Sequence, residues 1–216
     1  MIARGVLDDA VSSDEGRSTP RFRGLAPAAV ALVGLAAVIL IAFQFWQTVY
    51  RAPGDDSLEA GFARDMIVHH DQAVVMALSI RDRTTDPRIK TLATDILLTQ
   101  ENQIGQMLGW LNVWGLAATG VEPAMAWMGH PTTGLMPGMA TPEEMAKLRA
   151  AGGREFDVLF LQLMIRHHVG GVHMIDGILD QGHDDDVLAV AQVMKNTQQN
   201  DLTNLSAALK RLGGTL

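Results

Sequence analysis

The chain has 216 residues, a formal charge of −7 at pH 7 and no cysteine. That length holds one or two domains with a real core, and the acidic balance excludes a nucleic-acid binder, which would show a basic face. The missing thiols exclude disulfides, thiolate zinc sites and thiol catalysis, while twelve methionines is a high count.

Residues 1–23, rich in Ser, Asp, Glu and Gly, read as a disordered cytoplasmic tail. Residues 24–50 carry no charge, and their core "LAPAAVALVGLAAVILIAFQFW" runs from Leu25 to Trp46. A bilayer core needs about 20 apolar residues in a helix. Arg17, Arg21 and Arg23 precede the run, Trp46 and Tyr50 end it, and Arg51 is a single contrary charge. Basic residues before and aromatics after place the N-terminus in the cytoplasm. The run is too long for the apolar core of a signal peptide, and Gln47 to Ala52 make a poor cleavage site, so an uncleaved signal-anchor is favoured over a cleaved leader. The expectation is a single-pass protein of the cell membrane, with residues 57–216 outside the cytoplasm.

"RAPGDD" (51–56) is a short polar linker, and Ser57 caps a helix to about Asp82. "TTDP" makes a turn in which Asp86 caps and Pro87 opens a second helix, reaching about Trp114. A loop rich in Gly, Pro and Met follows (115–140). Thr141, Pro142 and Glu144 then form a capping box for a short helix that ends near Gly152. The next helix runs from about Arg154 to Asp180, "QGHDDD" turns the chain, and a last helix covers about Val187 to Leu212.

The chain repeats itself. "FARDMIVHHDQAVVMA" (Phe62 to Ala77) returns as "FLQLMIRHHVGGVHMI" (Phe160 to Ile175), 98 residues later. At that same offset Ala93 matches Ala191, Gln100 matches Gln198, Asn102 matches Asn200 and Leu111 matches Leu209. The repeats span about 57–115 and 154–213, joined by a Met-rich linker at 116–153. Two like helical hairpins, each with an apolar stripe, pack most simply as an all-α four-helix bundle.

Phe62, Met66, His69, Ala73, Met76 and Ile80 step by four and three along one helix face, and Phe160, Met164, His167, Gly171, Met174 and Ile178 repeat the steps. His70 and His168 sit beside this stripe. A buried imidazole must satisfy both ring nitrogens; a metal can take one and a supporting acceptor the other. Gln100 and Gln198 interrupt the stripes of the partner helices and are candidates for that support. Imidazole plus thioether, with few carboxylates, favours copper, and the soft sulfur extends the preference to silver. The competing reading is a hydrogen-bonded core histidine among gap-filling methionines; duplication of the pattern weighs against it. His173 adds an imidazole in the second copy alone. In the loop, Met125, Met128, Met136 and Met139 with His130 read as a flexible soft-metal site, since methionine in a polar loop has no core to fill. A hydrophobic flap packed on the bundle is the alternative.

The motifs "DMIVHHDQAVVMA", "LMIRHHVGGVHMI", "MPGMATPEEMAKL" and "FDVLFLQLMIRHH" resemble the bacterial family known as domain of unknown function 305, over about Gly61 to Leu212. The resemblance implies a ferritin-like helical bundle outside the cytoplasm, associated in some members with copper binding and resistance. The family's His-His and Met positions fall on Met66, His69, His70, Met76, Met164, His167, His168 and Met174. Similar proteins often carry Glu three residues after the second-helix Gln; here Gln103 and Asp201 stand there, which leaves the first copy without a carboxylate. The function expected is non-enzymatic copper binding in sequestration or tolerance, with metal ions and the membrane as partners. The alternatives are a metal-free helical interaction module and a ferritin-like di-iron oxidase. The oxidase needs Glu-x-x-His motifs, and no Glu here has His three residues on.

Overall fold

The computed structural model describes residues 25–49 and 52–216. The tail at 1–23, with Arg17, Arg21 and Arg23, and the flanking Tyr50 and Arg51 lie outside the described residues. Helix α1 spans Leu25–Val49. Its Pro27–Trp46 stretch is long and apolar enough to cross a membrane, a test that a signal sequence also passes.

Residues 52–216 form a separate compact unit. Helix α2 (Leu58–Arg83) starts where the Ser57 hydroxyl accepts from the Ala60 N–H at 3.1 Å. Asp86 accepts from the N–H groups of Arg88 and Ile89, and Pro87 opens α3 (Pro87–Val113). Helix α4 (Pro142–Ala150) carries the Thr141–Glu144 capping box. Helix α5 (Gly153–Gln181) follows, and Asp184 caps α6 (Asp185–Arg211). These caps satisfy N–H groups that the first turn of a helix leaves without partners. The connections between α2 and α3 and between α5 and α6 are three residues each, which forces antiparallel neighbours. Packing of α2 on α5 closes a four-helix bundle.

The core divides into two clusters. One joins Met76 and Ile80 of α2 to Phe156, Phe160 and Met164 of α5. The other joins Phe62 and Met66 of α2 to Met174, Ile175 and Ile178 of α5. The start of α2 therefore meets the end of α5, and the two helices run antiparallel. Residues 98 apart change places across their crossing, so the repeat in the sequence is an approximate two-fold in space.

The Met-rich loop folds back on the bundle. It holds a single 3-10 turn, Ala126–Met128, and an isolated bridge between Ala124 and Thr132. Met125 and Met136 are buried, Met128 and Met139 pack at the edge, and all four join the cluster around Met66 and Met174. The expectation that these methionines have no core to fill is thus corrected: long-range anchors bring the loop down. Asp65 Oδ2 accepts from the Met125 N–H at 2.7 Å and from the Trp127 indole N–H at 2.8 Å. Trp127 lies over Gly61, where a Cβ would come within 2.6 Å of it. The Gln72 amide bonds both the N–H and the C=O of Ala140, at 2.6 and 2.9 Å. Pro137 and Gly138 approach the α5 backbone so closely at Gly170 that a Cβ there would overlap the Pro137 carbonyl. Arg166 of α5 pairs with Glu144, and this pairing lowers the Glu144 carboxyl to about 2.

Candidate metal centre

At the α2–α5 crossing a polar layer interrupts the apolar core. His69, His70, His167 and His168 are all buried there. The rings of His69 and His167 lie 3.8 Å apart between centroids, tilted by 33°. These two are equivalent under the repeat, so the approximate two-fold passes between them. Each ring is flanked by its neighbour in sequence, at 6.4 Å in the first copy and 6.3 Å in the second.

A carbonyl only accepts, so each contact to one fixes a proton on the ring. His69 Nε2–H donates to the Pro137 carbonyl at 3.0 Å, and His167 Nε2–H donates to the His69 carbonyl at 2.9 Å. His70 Nε2–H donates to Gln103 Oε1 at 2.7 Å. His168 Nδ1–H donates to the Met164 carbonyl at 3.0 Å, and its Nε2 faces Asp201 Oδ2 at 3.4 Å. The supporting partners are therefore Gln103 and Asp201, each 33 residues beyond its histidine, and not Gln100 and Gln198. The signal was in the sequence: both partners sit at the repeat offset.

Four buried atoms in residues of this layer and its partner helices have no hydrogen-bond partner: His69 Nδ1, His70 Nδ1, Gln100 Oε1 and Gln198 Oε1. With Nε2 protonated, each orphaned ring nitrogen carries a lone pair, and an amide oxygen only accepts. All four are acceptors. Buried acceptors without donors are costly in a protein interior, and the group that satisfies them is a cation or an added donor.

Burial disfavours the charged imidazole. It lowers the pKa of His69 to about 4, against a smaller upward effect of the Pro137 bond. Burial, together with the His69 charge, lowers His70 to about 3. Burial and the neighbouring histidines push His167 well below its usual value. At neutral pH these rings are uncharged, the state a metal requires.

Thioethers stand on both sides of the layer: Met66 and Met174 in the loop-covered cluster, Met76 and Met164 in the other, all four fully buried. Among the described residues no three His, Asp or Glu side chains form a group suited to hold a metal ion. Imidazole and thioether together are the donor set on offer. His130 and His173 are exposed and stand outside the layer.

The unit has solved relatives. A structure of a DUF305 protein from Streptomyces coelicolor is 43% identical, covering 75% of this chain and 98% of that one, with a TM-score of 0.72. CopM in its Cu(I)-bound form is 22% identical, covering 74% of this chain and 99% of that one, with a TM-score of 0.55; its Cu(II)- and silver-bound forms also match. At that identity the likeness to CopM is one of fold. An uncharacterised protein of Acanthamoeba polyphaga mimivirus, L153, is 50% identical over 46 residues, 21% of this chain and 30% of that protein. The model of the family described as domain of unknown function (DUF305) matches residues 59–209, and the chain belongs to that family.

Proposed function

We propose that this chain is a membrane-anchored, extracytoplasmic copper-binding protein that sequesters the metal and catalyses no reaction. The observation that carries the reading is the pair of orphaned imidazole nitrogens, His69 Nδ1 and His70 Nδ1, buried and uncharged beside fully buried thioethers. His69, His70, His167 and His168 would supply the borderline donors, and Met66, Met76, Met164 and Met174 the soft ones. The loop methionines Met125, Met128, Met136 and Met139 would add sulfur on the covered side. Imidazole serves both copper oxidation states, whereas thioether favours Cu(I) and, by the same softness, silver. CopM, which shares the fold, is known in Cu(I)-, Cu(II)- and silver-bound forms, and this supports the choice of metal. A di-iron oxidase fits less well: Gln103 stands where the repeat has Asp201, so the layer lacks matched bridging carboxylates.

The test is titration of residues 52–216 with Cu(II), Cu(I) and Ag(I), with metal content read by mass spectrometry. Replacement of His69, His70, His167 and His168 by Ala is expected to abolish Cu(II) binding. Replacement of the four loop methionines is expected to lower Cu(I) and Ag(I) stoichiometry and spare Cu(II). Parent-like Cu(II) binding by the quadruple histidine variant would make these rings core residues and defeat the reading.

A further inference from the structure

A second feature lies apart from the histidine layer, at the turn between α2 and α3. The repeat supplies its control. At the turn between α5 and α6, Glu59 reaches across from α2 and its Oε1 accepts from the N–H groups of His183 and Asp184, at 2.7 and 3.2 Å. Ninety-eight residues on from Glu59 stands Asp157, and 98 residues before His183 and Asp184 stand Thr85 and Asp86. Asp157 is one methylene shorter. It is 7% exposed, and its Oδ1 has no hydrogen-bond partner. Here the Asp86 N–H donates to the Thr84 hydroxyl at 3.1 Å instead, and a surface recess of about 470 Å³ lies beside the turn, lined by Asp157, Asp86, Arg88, Arg154 and Arg211 among others.

The charges around the two turns are opposed. The positions that match Arg88, Gly153 and Arg154 in the other copy are Asp186, Asp55 and Asp56. At the recess three guanidiniums face two carboxylates, one of which, Asp86, is already paired with Arg211 at 2.7 Å. Helix α5 begins here with no side-chain cap at Gly152, so its first N–H groups add to the positive potential. Arginines and a free helix start call for an oxyanion. Asp157, on the wall of the recess, offers its carboxylate to a hydrogen on that same ligand.

We propose that this recess binds hydrogen phosphate, whose deprotonated oxygens accept from Arg88, Arg154 and the start of α5 while its P–OH donates to Asp157. Sulfate is equal in shape and carries no proton at neutral pH. A phosphomonoester has lost most of its second proton there as well. The buried carboxylate therefore selects the free, protonated anion.

Amide chemical shifts of the full chain in non-ionic detergent, titrated with inorganic phosphate and then with sulfate, test this. Phosphate is expected to shift residues around Arg154 and Asp157 and to bind at least about tenfold tighter than sulfate, the worth of one charge-assisted hydrogen bond. Asp157→Asn presents an N–H donor in place of the acceptor and is expected to bring the two anions to parity. Asp157→Glu is expected to reach the Thr85 N–H, as Glu59 reaches that of His183, and to lose the phosphate response. The proposal is overturned if phosphate shifts nothing up to about 10 mM, a millimolar affinity being the weakest of interest. Sulfate matching phosphate in the parent, or either variant keeping the parent's preference, overturns it too. Copper titration of the same variants should be unchanged, since the recess lies outside the histidine layer.

Discussion

The α2/α3 hairpin and the α5/α6 hairpin carry the same imidazole pair at the same positions, yet they hold it differently. In the first, His70 donates to the neutral amide of Gln103 and keeps a bare Nδ1. In the second, His168 donates from Nδ1 to the Met164 carbonyl and turns Nε2 toward the carboxylate of Asp201. One repeated frame thus presents a bare ring nitrogen in one half and, in the other, a ring nitrogen that looks onto a carboxylate. The two halves share the positions of the donors; the residue 33 places downstream sets what each donor faces.

Acid gives the largest expected effect. His69, His70 and His167 have depressed pKa values in the fold, so below pH 6.5 the unfolded chain takes up protons that the native state refuses. Stability present above pH 6.5 is lost as pH falls toward 4, by on the order of 3 kcal/mol for His69. Urea unfolding of the metal-free protein at pH 7.5 and 4.5 should show a much lower midpoint in acid. Equal midpoints would mean that the rings are hydrated and that the layer is not as described.

Exchange of the downstream residue sharpens the contrast between the halves. Gln103→Glu offers His70 a carboxylate, and an opposite charge at that range raises a pKa by about one to three units. The His70 imidazole resonances should then titrate at higher pH in an NMR series, and the acid loss attributed to this ring should shrink. A His70 titration unmoved by the carboxylate would break the link between Gln103 and His70.

The loop is held by both halves through equivalent positions of unlike chemistry, since Gln72 and Gly170 are 98 residues apart. Gly170→Ala pushes a methyl into the Pro137 carbonyl and should cost about 2–3 kcal/mol despite the better helix former. Gln72→Ala removes two bonds to Ala140 and should cost about 1–2 kcal/mol. Thermal unfolding ranks the two, and a stabilised Gly170→Ala protein would show that the loop does not rest there.

The smallest pair concerns the turns. Glu59→Asp should lose the contacts to His183 and Asp184 and about 1–2 kcal/mol, whereas Asp157→Glu should gain about 1 kcal/mol in phosphate-free buffer. Destabilisation by both substitutions would mean that Asp157 has a partner the geometry does not reveal.

Much of this architecture was legible before any coordinates. Ser57, Asp86 and the Thr141–Glu144 box mark helix starts through local hydrogen bonds, and local rules suffice to read them. The buried face from Phe62 to Ile80 follows from its four-three steps. His173 could also have been placed. It lies six residues beyond His167, about 120° around a helix from that face, and it is exposed. The loop was not legible. Whether Met125 and Met136 are buried depends on Asp65 and on the missing side chain of Gly170, contacts made over long sequence distances and without periodicity. Gln100 and Gln198 interrupt apolar stripes, and that pattern points them toward the imidazoles. Burial was the correct inference, but a stripe does not say which neighbour an amide faces; the residues three further on, one turn along the same helices, reach the rings instead.

The meeting of His69 with His167 has an ancestral consequence. Along a symmetry axis a residue touches its own copy, and that is the signature of an isologous dimer. A lone hairpin ending near Gly115 could have built this bundle only by pairing with itself, and its central histidine would have faced its twin across the axis. Both rings would then have been bound to make identical contacts. A single chain that carries both hairpins is free of that obligation: His167 bonds to the opposite helix, while His69 holds Pro137 in a segment that exists once. A loop laid over one side of the bundle is within reach of a single chain and out of reach of a self-paired hairpin.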